Sequence, residues 1–227
     1  MRILGIIPAR GGSKGIPGKN IKPLGGKPLL EYTFESAEKA TSLTKVILSS
    51  DDKKIISLAQ KIGLEAPFIR PDFLAEDTTP SIEVILDALE FFKSKGIVFD
   101  AVCLLQPTTP FRQNNIIDIA VKKFVQEKYD SLISVREVPH HYNPHWCFEE
   151  RNGMLKIATG DEKIIPRRQD LPKAYHRDGS IYITKTEVVV KQKSLFGHSI
   201  GYIDTTNFPY VNLDNLSDWE EAERMLK

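Results

Sequence analysis

The chain has 227 residues, of which 41% are hydrophobic and 27% are charged, and its formal net charge is +1. This length allows one substantial core and is short for two full domains. The near-neutral charge argues against a nucleic-acid or membrane-surface binder, because such proteins carry a large basic excess. We therefore expect a single domain over residues 1–227, with no nucleic acid and no membrane as partner.

The N-terminal apolar run, Ile3 to Ile7, is too short for a signal sequence and ends at Pro8. No stretch approaches the roughly 18 apolar residues that a membrane span needs. The two cysteines, Cys103 and Cys147, make no metal or redox motif. These features predict a cytoplasmic protein.

Short apolar runs alternate with longer amphipathic segments over the first 135 residues. The apolar runs are nearly continuous, as in strands of a parallel sheet covered on both faces. They are RILGII, KVILSS, DAVCLLQ and SLISV. The segments with helical periodicity are KPLLEYTFESAEKA, DKKIISLAQKIG, TPSIEVILDALEFFKSKG and NNIIDIAVKKFVQEK. This βαβαβ alternation predicts an open, mainly parallel, Rossmann-like α/β sheet with right-handed crossovers.

The pattern changes at about residue 137. The segment of about 137–174 has no helical period, and Asn152-Gly153 within it predicts a hairpin. The strand-like stretches SIYIT and SIGYID follow, and SDWEEAERML predicts a closing helix, with Ser217 and Glu220 spaced as a capping box. We interpret 137–174 as an excursion from the main sheet that is suited to contact with a partner subunit.

The loop after the first strand, PARGGSKGIPGKN, combines glycines with Arg10, Lys14 and Lys19. Its spacing fits neither a Walker A loop nor a dinucleotide fingerprint. Glycines let backbone N–H groups approach an oxyanion closely, and the three cations bring charge. The pattern therefore indicates an anion cradle, with a solvated basic face as the alternative.

Polar residues follow the other predicted strands. In an open parallel sheet, ligands bind beyond the carboxyl ends of the strands. Gln106, Thr108, Thr109 and Arg112 follow the AVCLLQ strand and should share a crevice with the glycine loop, and Asp214 adds a carboxylate at another edge. A phosphate cradle beside a carboxylate indicates a nucleoside triphosphate with Mg²⁺.

Several of these side chains also have purely structural interpretations. Asp214 could simply precede a helix N-terminus, Arg112 could be a surface cation, and Gln106 could satisfy loop backbone groups. Asp51 and Asp52 are most simply helix N-cap residues.

The histidine cluster and Cys147 give little support for further chemistry. His140, His141 and His145 lack both a helix to fix their geometry and a convincing fourth ligand, which disfavours a transition-metal site. Cys147 has no evident base nearby, which disfavours a nucleophilic role.

Five segments resemble, in order, the motifs of the acylneuraminate cytidylyltransferases, the enzymes that make CMP-sialic acids. The glycine loop resembles their glycine-rich signature. The other matching segments are RPDFLAEDTTPSI, LLQPTTPFR, RQDLPKAYHRDGSIYI and NLDNLSDWEEAE. The matches extend over essentially the whole chain and are specific when taken together.

The resemblance implies that CTP and a nonulosonic (sialic-type) acid give a CMP-sugar and pyrophosphate, on a Rossmann-like nucleotidyltransferase (nucleotide-diphospho-sugar transferase) fold. The anomeric hydroxyl attacks the α-phosphorus, so the protein's tasks are alignment and charge neutralisation. On matching positions the catalytic residues are Arg10 and Lys19, which bind phosphates, and Asp214. The candidate base is Asp214 or a metal-bound hydroxide beside it.

The resemblance also implies a set of substrate-binding residues. They are Gly11, Gly12, Ser13, Lys14, Asn20, Ser81, Gln106, Arg112, Arg168, Gln169, Tyr175, Arg177, Asp178 and Phe196. Asn20 and Ser81 would help Arg10 to place the cytidine, and Phe196 would reach the sugar site of a neighbouring subunit. Because the excursion at 137–174 matches the family's dimerisation insert, a homodimer is implied.

The metal motif departs from the family pattern. The family has two aspartates separated by one residue, and Asn212 and Asp214 stand at those positions here. Asp178 stands where the family has asparagine before glycine. Either Asp178 supplies the lost charge to Mg²⁺ from across the crevice, or it merely opens an Asp-Gly turn while one acid and the substrate phosphates hold the metal.

The substrate is less determined than the reaction type. Sialic acid is the main expectation, with legionaminic or pseudaminic acid as alternatives, and GTP could replace CTP because a legionaminic branch uses it. Gln106 and Arg112 match the sialic and legionaminic enzymes. Two rivals are a catalytically weakened nucleotide-binding relative, suggested by Asn212, and a sugar-1-phosphate nucleotidylyltransferase, which the LLQPTTPFR and RQDLP segments disfavour.

Overall fold

The computed structural model describes all residues, 1–227. Its ten strands are β1 Ile3–Pro8, β2 Pro23–Leu24, β3 Lys27–Pro28, β4 Lys45–Ser49, β5 Ala101–Leu104, β6 Ser131–Glu137, β7 Phe148–Arg151, β8 Met154–Ile157, β9 Tyr175–Lys185 and β10 Ile200–Asp204. Its helices are α1 Leu29–Glu38, α2 Lys53–Lys61, α3 Ser81–Ser94, α4 Ile116–Gln126, α5 Thr186–Gln192 and α6 Leu216–Met225. None of these helices has the length and apolar character that crossing a membrane requires.

Six strands form the main sheet, in the order β10-β6-β9-β5-β1-β4. β1 is parallel to β4 and β5, and β10 is parallel to β6. β9 is antiparallel to both of its neighbours, β5 and β6, so the other five strands share one direction. The predicted open, mainly parallel α/β sheet is therefore confirmed.

Two helical layers cover the sheet, and β1 contributes side chains to both. Ile3 and Ile7 belong to the core beneath α1, α2 and α4, whereas Leu4 and Ile6 belong to the core beneath α3 and α5. Burial on both faces explains why the strand sequences are continuously apolar rather than alternating. The carboxyl ends of the parallel strands are left as the polar edge of the sheet.

Helix α5 is an element that the sequence analysis does not predict. Its run Val188–Val190 is β-branched, and such residues are more typical of strands. In the structure Val188 and Val189 are buried, and α5 packs beside α3 on the sheet. Tertiary burial thus outweighs the local preference.

The predicted capping box of Ser217 and Glu220 is wrong by two residues. Asn215 is the N-cap of α6, and its side chain accepts from the Asp218 N–H at 3.1 Å. The Asp218 carboxylate accepts in return from the Asn215 N–H at 2.9 Å. The capping box lies directly after Asp214, so it also restrains the backbone of the segment that carries Asp214.

Residues 138–174 leave the main sheet after β6 and return to it at β9. Within this excursion β7 and β8 pair as the predicted hairpin, with φ of 56° at Asn152 and 77° at Gly153. Four of its large apolar side chains are exposed to solvent. They are Phe148, Met154, Leu155 and Ile164.

Candidate active site

A polar crevice of about 340 Å³ opens at the carboxyl ends of β1 and β5. It contains nine of the residues that the sequence analysis places in the site. They are Arg10, Ser13, Lys14, Lys19, Asn20, Ser81, Gln106, Thr108 and Asp214. These residues come from four separate loops, and their convergence follows from the common direction of the strands.

The glycine loop passes close to the chain segment that carries Asp214. A Cβ at Gly15 would lie 2.0 Å from the Asp214 carbonyl oxygen, so a side chain at position 15 would push the two segments apart. Ile16 is fully buried and packs in one cluster with Leu213. A Cβ at Gly12, in contrast, would meet no atom within 4 Å, so the loop backbone is open there.

Hydrogen bonds fix both ends of the glycine loop. The Gly11 N–H donates to Asp51 Oδ1 at 3.1 Å, and the buried Asn20 amide donates to the Arg10 carbonyl at 3.0 Å. Asp52 is the N-cap of α2, as predicted, but Asp51 is not a cap, because its carboxylate holds the loop. The Gly11 N–H is therefore engaged within the protein rather than directed at a ligand.

Lys19 links the loop to the opposite wall of the crevice. Its Nζ donates to the Leu213 carbonyl at 2.6 Å. Burial lowers the pKa of the Lys19 ammonium below the ordinary 10.5, while the neighbouring Asp214 carboxylate raises it in part. The ammonium thus lies beside Asp214 in a partly desolvated position, where its attraction to a phosphate is strengthened.

Arg10 and Lys14 both form ion pairs with one carboxylate, that of Asp77. Arg10 Nη1 also lies 3.4 Å from the Ala75 carbonyl oxygen. The hydrogen bond from Lys14, followed by that from Arg10, lowers the pKa of Asp77 below its ordinary value. Asp77 is therefore ionised at neutral pH and lies between the two cations.

Helix α3 begins at the crevice with Ser81. The N-terminus of this 14-residue helix favours anions, because its first N–H groups are unpaired and its dipole is positive there. Arg70 lies nearby, almost fully buried, with its Nε donating to Ser49 Oγ at 3.0 Å and its Nη2 to the Ser49 carbonyl. Burial lowers the pKa of Arg70.

Arg70 and Asp77 are crevice residues that the sequence analysis does not identify. Both lie in the segment RPDFLAEDTTPSI, from which only Ser81 is predicted. The one sequence signal that could have identified them is that both are charged residues in the loop before helix α3. Which charges would meet across the crevice is visible only in three dimensions.

Asn212 and Asp214 lie side by side at the edge of the crevice, with Asn212 Nδ2 donating to Asp214 Oδ2 at 2.6 Å. No group of three or more His, Cys, Asp or Glu side chains in the structure could hold a metal ion. One carboxylate and one amide oxygen nevertheless suit Mg²⁺, which takes one or two carboxylates and completes its shell with phosphate oxygens and water. The residues present therefore fit that ion when a polyphosphate is bound.

Arg112, predicted to bind substrate, does not line this crevice, and its guanidinium donates to protein acceptors. Nε and Nη2 donate to the Ser180 carbonyl at 3.1 Å, Nη1 donates to Thr33 Oγ1 at 2.9 Å, and Nη2 donates to the Gln106 carbonyl at 2.7 Å. Burial lowers the pKa of Arg112 to about 10, with Cys103 and Asp178 opposing that shift, so it stays charged at neutral pH. Arg112 is a structural residue that joins three segments.

For Asp178 the structure favours the turn interpretation over a contribution of charge to a metal. Only 3% of Asp178 is exposed. Its Oδ1 accepts from Ser134 Oγ and from the Ser180 N–H, and its Oδ2 accepts from Thr205 Oγ1 at 2.6 Å. The bond from Ser180 is that of an Asx turn, so the turn interpretation is correct and the carboxylate is saturated within the protein.

Five further predicted residues lie outside the crevice of this chain. They are Arg168, Gln169, Tyr175, Arg177 and Phe196. Arg168, Gln169 and Arg177 are exposed. Tyr175 stacks on Tyr202, with ring centroids 5.1 Å apart, and Phe196 packs against Tyr182 at 6.4 Å. Within one chain, none of the five reaches the crevice.

Comparison with known proteins agrees with the chemistry of the crevice. The profile of a family described as "Cytidylyltransferase" matches residues 4–216. The chain is 36% identical to the pseudaminic acid cytidylyltransferase of Campylobacter jejuni, with 100% of this chain and 97% of the relative covered. It is 32% identical to the CMP-N,N'-diacetyllegionaminic acid synthase of Legionella pneumophila, with 100% and 97% covered.

Two other similarities are weaker, one in the share of the relative covered and the other in sequence identity. The N-acylneuraminate cytidylyltransferase of Escherichia coli is 32% identical over 97% of this chain, which spans 51% of that relative. The solved structure of CMP:2-keto-3-deoxy-manno-octonic acid synthetase complexed with CTP has a TM-score of 0.75 at 15% identity, with 100% of this chain and 98% of that chain covered. At that identity the solved structure supports the fold alone.

We expect Arg112→Met to destabilise the fold by about 3 kcal/mol, because several buried acceptors lose their donor. Urea denaturation would measure the change. Arg177→Met is the matched control, since Arg177 is an exposed arginine, and it should change the free energy of unfolding by less than about 0.5 kcal/mol. Equal stability of the two variants would contradict the structural role of Arg112.

We expect binding of inorganic tripolyphosphate to weaken as the pH rises towards 10.5, because Lys19 loses its proton below the ordinary lysine pKa. The sign follows from the charge: deprotonation removes a cation from the cradle. Calorimetric titration at several pH values would measure this. Lys19→Arg should remove the alkaline loss because arginine stays charged, whereas the control Lys14→Arg in the same loop should retain it.

Proposed function

Since the chain belongs to the cytidylyltransferase family, we propose that it transfers the cytidylyl group of CTP to a nonulosonic acid of the pseudaminic or legionaminic type, releasing pyrophosphate. The observation that carries the proposal is the crevice in which Arg10, Lys14 and Lys19 face the N-terminus of α3. Such a concentration of positive charge and unpaired N–H groups suits a triphosphate.

The reaction asks the crevice to align two anions and to spread negative charge. The anomeric hydroxyl of the sugar acid forms a bond to the α-phosphorus, and the bond from that phosphorus to the bridging oxygen of pyrophosphate breaks. Arg10, Lys14 and Lys19 would neutralise the charge that develops on the leaving pyrophosphate. Asp214, an exposed carboxylate beside Lys19, is the candidate acceptor of the hydroxyl proton.

We also propose Mg²⁺ as the cofactor, held by Asp214 with the side-chain oxygen of Asn212. When bound, the ion would neutralise phosphate charge and favour the in-line geometry. Asn212 is a neutral oxygen ligand where the resembling family has a carboxylate, so the substrate phosphates would supply a larger share of the ion's ligands. Asp178 has no part in this site, because it is buried and saturated.

The comparisons favour the pseudaminic or legionaminic substrate over sialic acid. The two relatives described above that the chain matches from end to end are named for those two sugars, whereas it spans about half of the N-acylneuraminate enzyme. The expectation of a sialic or legionaminic substrate rested on Gln106 and Arg112. Because Arg112 is structural, it says nothing about the sugar, and Gln106 alone does not decide.

We further propose that the protein is a homodimer formed through the excursion 138–174. Phe148, Met154, Leu155 and Ile164 are all exposed there, and such a concentration of exposed apolar side chains in one short excursion favours an interface. A partner subunit would also explain why residues matching the sugar-binding positions of the resembling family lie outside the crevice of one chain.

Pyrophosphate release measured with Mg²⁺, for CTP and GTP against pseudaminic, legionaminic and N-acetylneuraminic acids, tests the proposed function. We expect the strongest release with CTP and either pseudaminic or legionaminic acid. Release that is strongest with N-acetylneuraminic acid would contradict the substrate proposed. No release from any pair, with CTP binding still measurable, would favour the catalytically weakened, nucleotide-binding alternative.

We expect Leu155→Glu to dissociate the dimer, because it places a charge in an apolar interface. The molar mass from light scattering after size-exclusion chromatography would measure this. Val98→Glu is the matched control, since Val98 is 61% exposed and Leu155 is 67% exposed, and Val98 lies on the main domain. A dimer that resists Leu155→Glu and yields to Val98→Glu would place the interface elsewhere.

A further inference from the structure

Asp77 is the internal partner of two cations of the glycine loop, Arg10 and Lys14. Its Oδ1 pairs with Arg10 Nη2 and its Oδ2 with Lys14 Nζ, so one carboxylate satisfies both cations of the glycine loop. No other acidic side chain forms an ion pair with either cation. The crevice therefore holds an internal anion where the proposed substrate brings an external one.

The contact is of the kind that a polyanion can break. The side chains of Asp77 and Arg10 are about one-third exposed, and that of Lys14 is 83% exposed. Exposed ion pairs contribute little net stability, because water and salt screen them. A triphosphate brings several charges to the same donors and outweighs a single carboxylate.

Apart from the long contact of Arg10 Nη1 with the Ala75 carbonyl at 3.4 Å, the hydrogen bonds around Asp77 are local. The Thr79 N–H donates to the Glu76 carbonyl at 3.2 Å, and Thr79 Oγ1 donates to the Phe73 carbonyl at 3.2 Å. Neither bond restrains the Asp77 side chain, which is free to turn away when its partners are taken by a ligand.

We propose that Asp77 is a displaceable counter-anion of the phosphate site. It neutralises Arg10 and Lys14 between turnovers, yields them to the incoming triphosphate, and competes for them with the departing pyrophosphate. This role rests on the proposed function, in which those two cations bind the triphosphate. Asp77 thus limits the affinity of the site for polyphosphates and promotes product release.

Glu76 supplies a matched control. It is the neighbouring acid and lines the same crevice, but it pairs with neither Arg10 nor Lys14. Asp77→Asn and Glu76→Gln each remove one negative charge from the crevice. Only Asp77→Asn removes the competitor for the two cations, so the difference between the variants isolates the contact from general repulsion.

Isothermal titration with inorganic tripolyphosphate at low and high salt tests the proposal. We expect Asp77→Asn to lower the Kd about three- to tenfold at low salt, as the loss of two exposed ion pairs implies. Glu76→Gln should lower it less than about twofold, and high salt should shrink the difference. In turnover, Asp77→Asn should lower the KM for CTP and strengthen inhibition by pyrophosphate.

Weaker tripolyphosphate binding by Asp77→Asn, or a change no larger than that of Glu76→Gln, would overturn the proposal and make Asp77 a positioning residue for Arg10. Asp77→Glu, which retains the anion, should bind tripolyphosphate as the unsubstituted protein does. Tripolyphosphate binding needs no sugar acid, so tightened binding without any nucleotide transfer would refute the proposed function alone.

Discussion

The hydrogen bonds of the Arg112 guanidinium are the interaction on which the geometry of the crevice depends. The guanidinium joins the loop after β5 to α1 and to β9, through the Gln106 carbonyl, Thr33 Oγ1 and the Ser180 carbonyl. Each acceptor would lose a charged donor if the guanidinium were absent. Gln106 and Gly179 then face each other closely, since a Cβ at Gly179 would lie 3.0 Å from Gln106 Oε1.

A second constraint brings the two ends of the chain together. Ile16 and Leu213 share an apolar cluster with α6, Gly15 lies against the Asp214 carbonyl, and Lys19 bonds to the Leu213 carbonyl. The glycine loop and the segment that carries Asp214 are therefore packed and bonded together, although about 200 residues separate them. Such preorganisation lets charges be placed before the substrate arrives, which is how electrostatic catalysis gains its effect.

Acidic residues around the site show how environment divides one residue type into different roles. Asp178 is buried and saturated by hydroxyl and amide donors, so it holds β6, β9 and the end of β10 together. Asp51 fixes the glycine loop, and Asp77 meets the cations in an exposed position where its contacts can exchange. Asp214 is left at the open edge. All four residues are aspartates, so the burial of each carboxylate and its hydrogen-bond donors, not its residue type, separate these roles.

The sequence by itself determined the sheet, the major helices and the glycine loop, because burial periodicity and loop composition are local properties of the chain. The reaction class came from the resemblance of five segments to a known family. Only the tertiary structure decided that Arg112 and Asp178 are structural, that Asp77 meets Arg10, and that the valine-rich segment 186–192 is a helix. These outcomes depend on which side chains meet across 27 to 70 or more residues of chain, and a linear pattern does not specify such partners. The sequence therefore shows where charged residues stand along the chain, while folding sets their partners and with them whether each residue serves the fold or the site.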